Sequence, residues 1–302
     1  MKILITGASG FVGSAVTAAL EQAGHEVARL ARRPGSSGSQ EWLWDPVRGE
    51  VDSRVKAGVD AVIHLAGENI AAGRWTAAQK ARIRESRVQG TQLLVRALSQ
   101  ADRPPAAFIS ASATGFYGDR GDTVLDEASG PGAGFLAEVS VAWEQAAAGL
   151  VDVGTRVVWL RIGMVLGPNG GALKKMLPVF RWGLGGVLGS GNQYWSWIHR
   201  DDLVRIIVRS LTDSEVRGPV NAVAPQPVTN REFTRALAGV VGRPAWVPAP
   251  AFGLRLLVGE MADAVLLGST RAVPKRLQAL GYKFGFEEVR GALLDAVKPG
   301  RG

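Results

Sequence analysis

Lys2-Ile3-Leu4-Ile5-Thr6-Gly7-Ala8-Ser9-Gly10-Phe11-Val12-Gly13 is the stretch whose reading decides the fold. Lys2 to Thr6 is an aliphatic run of strand length, and from Phe11 to Ala23 apolar residues recur at helical spacing until Gly24 stops them. Gly7, Gly10 and Gly13 therefore sit where a strand turns into a helix. In that position the early glycines permit a tight turn and close approach of a phosphate, and the last lets the helix pack on the strand. The plainer reading is an ordinary turn that needs glycine. The first makes Gly7, Ser9, Gly10, Phe11, Val12 and Gly13 the expected pyrophosphate-binding residues.

Working outward, Glu26 to Ala31 reads as a second strand, Pro34 to Ser39 as a mobile loop and Val59 to Leu65 as another strand. Thr76 is placed to cap a long helix running to about Ser99. A strand at Ala107 to Ser110 follows, then a helix over Leu136 to Gly149 and a strand over Thr155 to Arg161. Strands alternating with helices predict an α/β fold, a Rossmann-type doubly wound parallel sheet with helices on both faces. Residues 1–166 are expected to form the dinucleotide-binding domain, and 167–302 a smaller substrate-side lobe with some segments returning to the core. Helices are expected at Asp201 to Leu211 and Asn230 to Val241, with a C-terminal helical segment over about 248–298.

Composition narrows the function. Hydrophobic residues at 46% and charged residues at 21% suit a globular chain, and no apolar run approaches the roughly 20 residues that span a bilayer. The apolar start is too short for a signal peptide, and cysteine is absent, so a cytoplasmic protein without disulfides or thiolate metal sites is expected. His25, His64 and His199 lie far apart, which argues against a metal. The net charge of +8 comes from scattered residues rather than a basic run, so an anionic small ligand is favoured over nucleic acid. The second strand ends in Arg32 and Arg33, where NAD enzymes place an acidic residue on the ribose. Guanidinium groups there suit the 2′-phosphate of NADP, unless the pair is only a solvated basic loop.

The glycine turn, His64-Leu65-Ala66-Gly67, Ser110-Ala111-Ser112-Ala113-Thr114 and Trp197-Ile198-His199-Arg200-Asp201-Asp202 together resemble the extended short-chain dehydrogenase/reductase superfamily. Leu65-Ala66-Gly67-Glu68-Asn69-Ile70, Gly118-Asp119-Arg120-Gly121 and Gly134-Phe135-Leu136 resemble, more narrowly, its epimerase-family subgroup. About Pro248 to Ala296 is similar to the small C-terminal domain of unknown function that this subgroup carries. The resemblance implies NADP(H) as cofactor, held also by Leu65, Ala66, Gly67, Ser110, Ala111 and Arg161. It further implies a small-molecule substrate of unstated identity, no membrane or nucleic-acid partner, and a monomer or homodimer.

The superfamily's catalytic Tyr-x-x-x-Lys is missing. Residues four positions beyond Tyr117, Tyr194 and Tyr282 are Gly121, Ile198 and Phe286, and the segment expected to carry the pair reads Gly134-Phe135-Leu136-Ala137-Glu138-Val139-Ser140. Ser112 matches the substrate-oxygen-binding serine of the resemblance, and Tyr117 on the same loop is a proton donor if it turns inward or a packed aromatic if it does not. Glu138 and Glu144 share the helix that normally bears the pair. Thr114, Trp197 and His199 are expected at the substrate pocket, although Trp197 equally suits a core and His199 equally suits a helix cap. Two functions stand: an NADP(H)-dependent oxidoreductase or epimerase-like enzyme with an atypical site, and a non-catalytic NADPH-binding sensor or scaffold.

Overall fold

A computed structural model of the chain describes residues 1–32 and 40–297. Arg33 and the expected loop at 34–39 lie outside the described residues. The chain runs β1 (Lys2–Thr6), α1 (Gly13–Gln22), β2 (Glu26–Ala31), β3 (Glu41–Asp45), β4 (Glu50–Val51), β5 (Ala61–His64), α2 (Ala77–Ser99) and β6 (Ala107–Ala113). It continues through β7 (Val124–Leu125), α3 (Phe135–Ala148), β8 (Arg156–Ile162), β9 (Met164–Leu166), α4 (Gly171–Arg181), β10 (Tyr194–Trp195), β11 (Trp197–His199), α5 (Arg200–Thr212) and β12 (Gly218–Ala222). β13 (Val228–Thr229), α6 (Asn230–Val241), α7 (Ala251–Val258), β14 (Arg271–Ala272), α8 (Lys275–Ala279) and α9 (Val289–Val297) complete it.

Among the described residues the main sheet has the order β12-β8-β6-β5-β1-β2-β3-β4 and is parallel except where β4 turns back on β3. The expected doubly wound Rossmann sheet is thus present. Side chains alternate across it, as the pleat requires. Ile3 and Ile5 pack with Val16 and Leu20 of α1 and Leu203 and Ile206 of α5 on one face. Leu4, Val62 and Phe108 pack with Leu94 and Leu98 of α2 and Ala147 of α3 on the other. The order reverses between β1 and β5, so the crevice at their carboxyl ends is where such sheets bind ligands.

β2 occupies the expected residues, and Thr76 Oγ1 accepts the Gln79 N–H at 3.2 Å to open α2 as its sequence implies. The first helix begins at Gly13, two residues later than the apolar spacing suggested, because Gly10 to Val12 is spent on the turn. Three sheet strands go beyond the sequence reading, the two-residue β4 and the longer β3 and β12. β3 is Glu-Trp-Leu-Trp-Asp, whose Trp42 and Trp44 are both buried, and β12 carries Pro219, which an edge strand tolerates because one side needs no ladder donor. A separate core of Leu173, Phe180, Trp197, Phe233, Leu237 and Leu293 gathers α4, α6 and α9 beside the sheet's carboxyl end.

Candidate cofactor cleft and catalytic network

The glycine turn is built by close contact. Gly7 has φ +70°, and a Cβ on it would meet the backbone of Leu65 and Ala66 at 3.0 Å. A Cβ on Gly13 would stand 2.0 Å from the Gly7 carbonyl oxygen, so only glycine lets α1 start this near β1. The Gly10 N–H donates to Gly7 O at 2.9 Å, and Ser14 N–H and Val16 N–H donate back to Gly10 O and Val12 O at 2.9 and 3.0 Å, so the turn runs straight into the helix N-terminus. That cradle suits an anion.

A buried polar bracket fixes the turn to the next loop. Thr6 Oγ1 accepts the Leu65 and Ala66 N–H groups at 3.1 and 3.2 Å and donates to His64 Nδ1 at 2.7 Å. Thr91 Oγ1 gives its proton to Arg87 O, so it accepts from His64 Nε2 at 3.0 Å. These directions define a neutral Nε2–H imidazole. Burial, with Arg87 nearby, pushes its pKa down to about 3.

A cavity of about 2150 Å³ runs from Ser9, Gly10 and Phe11 past Ser112 and Thr114 to α3 and the C-terminal segment. The loop 167–171 closes on Phe11 so tightly that a Cβ on Gly170 would lie 2.1 Å from the ring. Gly7, Val12, Gly13, Leu65, Ala66, Gly67, Ser110 and Ala111 stand behind this lining rather than on it. Arg32 is exposed just beyond β2, the strand beside β1.

At the far end β6 and β8 pair with Ser112 opposite Arg161. Arg161 makes a two-point pair with Glu144 of α3, Nε to Oε1 and Nη2 to Oε2, both at 2.9 Å. Its guanidinium stacks on Phe116 with 3.5 Å to the centroid. A carboxylate held this way only accepts, so the Ser112 hydroxyl donates to Glu144 Oε1 at 2.7 Å. Ser112 thus turns lone pairs, not its proton, toward the cavity.

Two expectations need correction here. Tyr117 is fully buried off the cavity; its hydroxyl accepts from Arg161 Nη1 at 3.0 Å and donates toward Asn221 Oδ1 at 2.7 Å. Burial raises its pKa against the opposing pull of Arg161, and the hydroxyl's bonds are all made within the protein. Arg161 is likewise buried away from the cavity lining, one face on Phe116 and its Nε–Nη2 edge on Glu144.

The pocket expectation also changes for Trp197 and His199, which are fully buried. Trp197 donates Nε1–H to Gln226 O at 2.9 Å within the core. His199 Nδ1 accepts the Asp201 N–H at 3.2 Å and caps α5, while the ring lies on Phe286. Burial lowers its pKa, with Asp201 and Asp295 opposing. His199, Asp201 and Asp295 bring ligand atoms within 4.8 Å of one another; Nδ1 is taken by the helix cap, and Nε2 lies 3.3 Å from Asp295 Oδ2.

Leu136, Val139, Ser140 and Trp143, one helical face of α3, line the cavity where the Tyr and Lys of the resemblance belong. Ser140 Oγ is spent on Leu136 O at 2.8 Å. Sequence reasoning missed three lining residues. Trp143 Nε1 is a buried donor without a partner. Arg87 donates to Glu68 O and Ile83 O at 3.0 Å, its pKa lowered by burial to about 10. Tyr194, dismissed for want of a Lys four residues on, is the cavity's tyrosine among the described residues and lies under the Arg271 guanidinium.

Sheet, glycine turn and cleft together define a Rossmann-fold protein of the extended short-chain dehydrogenase/reductase type. The chain belongs to the NAD dependent epimerase/dehydratase family, whose model matches residues 3–222, and residues 249–296 match a domain of unknown function, DUF1731. An epimerase family protein of Mycobacterium bovis is 44% identical over 291 residues, covering 96% of both chains. The crystal structure of human epimerase family protein SDR39U1 with NADPH is 34% identical, with a TM-score of 0.89 and 99% of each chain covered. A nucleoside-diphosphate sugar epimerase from Corynebacterium glutamicum is 36% identical with a TM-score of 0.80, covering 98% of this chain and 58% of that one. Among the described residues no helix is long and apolar enough to cross a membrane.

Proposed function

We propose that this chain binds NADP(H) along the Gly7–Gly13 turn and is an NADP-dependent oxidoreductase or epimerase-like enzyme that works without the Tyr–Lys pair. The carrying observation is the single cavity that joins the glycine cradle to Ser112 and to the empty pair positions on α3. Similarity to the human structure holding NADPH supports the cofactor, as does exposed Arg32 beyond β2. Ser9, Gly10 and Phe11 at the turn that opens α1 would hold the pyrophosphate, and Arg32 the 2′-phosphate. Bound NADP(H) supplies hydride chemistry.

The chain's own residues then have separable tasks. Ser112, its proton committed to Glu144, accepts a hydrogen bond from a substrate hydroxyl and so fixes the alcohol whose carbon gives up hydride to the oxidised cofactor. Tyr194 is the phenol placed to exchange a proton with solvent-side substrate. Residues 167–171 over Phe11 exclude water from the phosphate end.

Fluorescence titration with NADPH and NADH, followed by turnover of Tyr194→Phe, tests the reading. Tight NADPH binding and a 10²–10⁴-fold lower kcat, about the usual share of acid–base catalysis, are expected. Failure of NADPH to bind overturns the function. Unaltered kcat in Tyr194→Phe removes that residue's role.

A further inference from the structure

We infer that the substrate end of the cavity takes an apolar, weakly polar carbonyl compound or alcohol, not a nucleotide sugar, and that the C-terminal segment matched as a domain of unknown function forms the wall that selects it. This names the substrate class of the site proposed above and rests on that reading.

Three observations carry it. First, a helical turn of the C-terminal segment at Ala262–Leu267 packs Val265, with Met261 before it, against Ile83, Leu136 and Val139. All five of these side chains line the cavity, so the two walls facing each other there are hydrocarbon. The segment is tied in place by Arg74, which donates to Leu256 O at 3.1 Å, and by the ion pair of Lys80 with Glu260.

Second, four of the hydroxyl groups lining this end already donate within the protein, which leaves Tyr194 and Thr114. Ser112 donates to Glu144, Ser140 to Leu136 O, Thr270 to Gly118 O at 3.0 Å and Ser196 to Thr270 O at 2.8 Å. Arg87 is held by two backbone carbonyls. A sugar ring would find few donors to replace the water it gives up, and leaving its hydroxyls unpaired is costly. Of the other charged lining residues, Lys174, Lys175, Arg200 and Asp201 stand on α4 and α5, with the Arg200 guanidinium 5.4 Å from the Phe11 ring, and Asp295 stands on α9.

Third, the rim is apolar as well. Val179, Leu184 and Val247 line the cavity and are also solvent-exposed, at 46%, 60% and 49%. Leu184 and Val247 lie on neighbouring segments, joined by Val247 N–H to Gly185 O at 3.3 Å. An entrance of this kind presents hydrocarbon to an entering ligand, with Lys175 one helical turn from Val179.

The test is a homologous series of straight-chain methyl ketones, each one methylene longer than the last, titrated against the whole protein with and without saturating NADPH. UDP-glucose is the competing probe. If the wall is hydrocarbon, the dissociation constant falls about fourfold per methylene until the cavity is filled, and UDP-glucose neither binds comparably nor displaces the ketones. Val265→Asp should abolish the chain-length gradient while NADPH affinity stays within about twofold, since the substitution is remote from the glycine turn. Val265→Phe, which keeps the wall apolar and the fold intact, should shorten the longest ketone accepted. A flat series, or UDP-glucose binding more tightly than every ketone, overturns the inference. Failure of NADPH binding alone overturns the cofactor reading, and the series on the cofactor-free protein still decides the character of the wall.

Discussion

Tyr117→Phe separates a structural phenol from a catalytic one. Removing the hydroxyl deletes the acceptor for Arg161 Nη1 and the donor to Asn221 Oδ1, while Arg161 keeps Glu144 and Asn221 Nδ2 keeps Val273 O. Two buried polar atoms are left unpaired at about 1–3 kcal/mol each, and partial relaxation brings the expected loss to about 2–4 kcal/mol of folding stability. Urea unfolding followed by tryptophan emission reads this directly, and the slope with denaturant should not change because the surface exposed does not. NADPH affinity should stay the same. The phenol adds a pH signature. Its folded pKa is raised above the ordinary 10, so its stabilising contribution is complete below the unfolded value and fades as pH climbs through the folded one. The stability gap between wild type and variant should therefore narrow above about pH 10. A variant of full stability with turnover reduced 10²-fold or more, the usual mark of a lost acid–base group, would refute the structural assignment.

Three further outcomes follow from the site. Arg32→Ala should weaken NADPH about tenfold and leave NADH unchanged, the low end for a charge-assisted contact because the side chain is exposed; equal losses for both cofactors would move the 2′-phosphate elsewhere. His64, depressed from 6.5 to about 3, is neutral in the fold and gains a proton on unfolding below pH 6.5, so stability is full above that value and drops by roughly 4–5 kcal/mol as pH falls to about 3. A His64→Asn variant, compared with wild type across that window by chemical denaturation, should lack this slope, and parallel curves would contradict it. Leu136→Tyr with Ser140→Lys should confer conventional reductase activity on small carbonyls, monitored as NADPH oxidation, because both positions line the cavity; an inert double variant with normal NADPH affinity would show that more than the pair is missing.

The sheet was legible where local chemistry agrees with the fold. β1, β2, the Thr76 cap and the helix of Asn230–Val241, whose Thr229 and Glu232 form a capping box, all announce themselves within a few residues. β12 did not, because Gly-Pro-Val-Asn-Ala is a poor strand by composition and exists as one through pairing with β8, about sixty residues away in sequence. β3 was obscured differently. Its two tryptophans read as apolar anchors of either strand or loop, and the contact that settles them, Trp44 against Gly90 of α2, is non-local.

The catalytic end was less legible because its meaning lies in register and proton direction. Ser112 is a plausible donor in sequence, yet β6 and β8 pair it with Arg161, Arg161 orients Glu144, and Glu144 takes the serine proton. No residue type in that chain is unusual; the order of donors and acceptors reverses the polarity of the site. The same effect removed Tyr117 from the chemistry, since Asn221 reaches it from β12, the strand that could not be foreseen. With its proton committed to Glu144, Ser112 presents acceptor lone pairs at the end of the cleft that Ile83, Leu136 and Val139 also line.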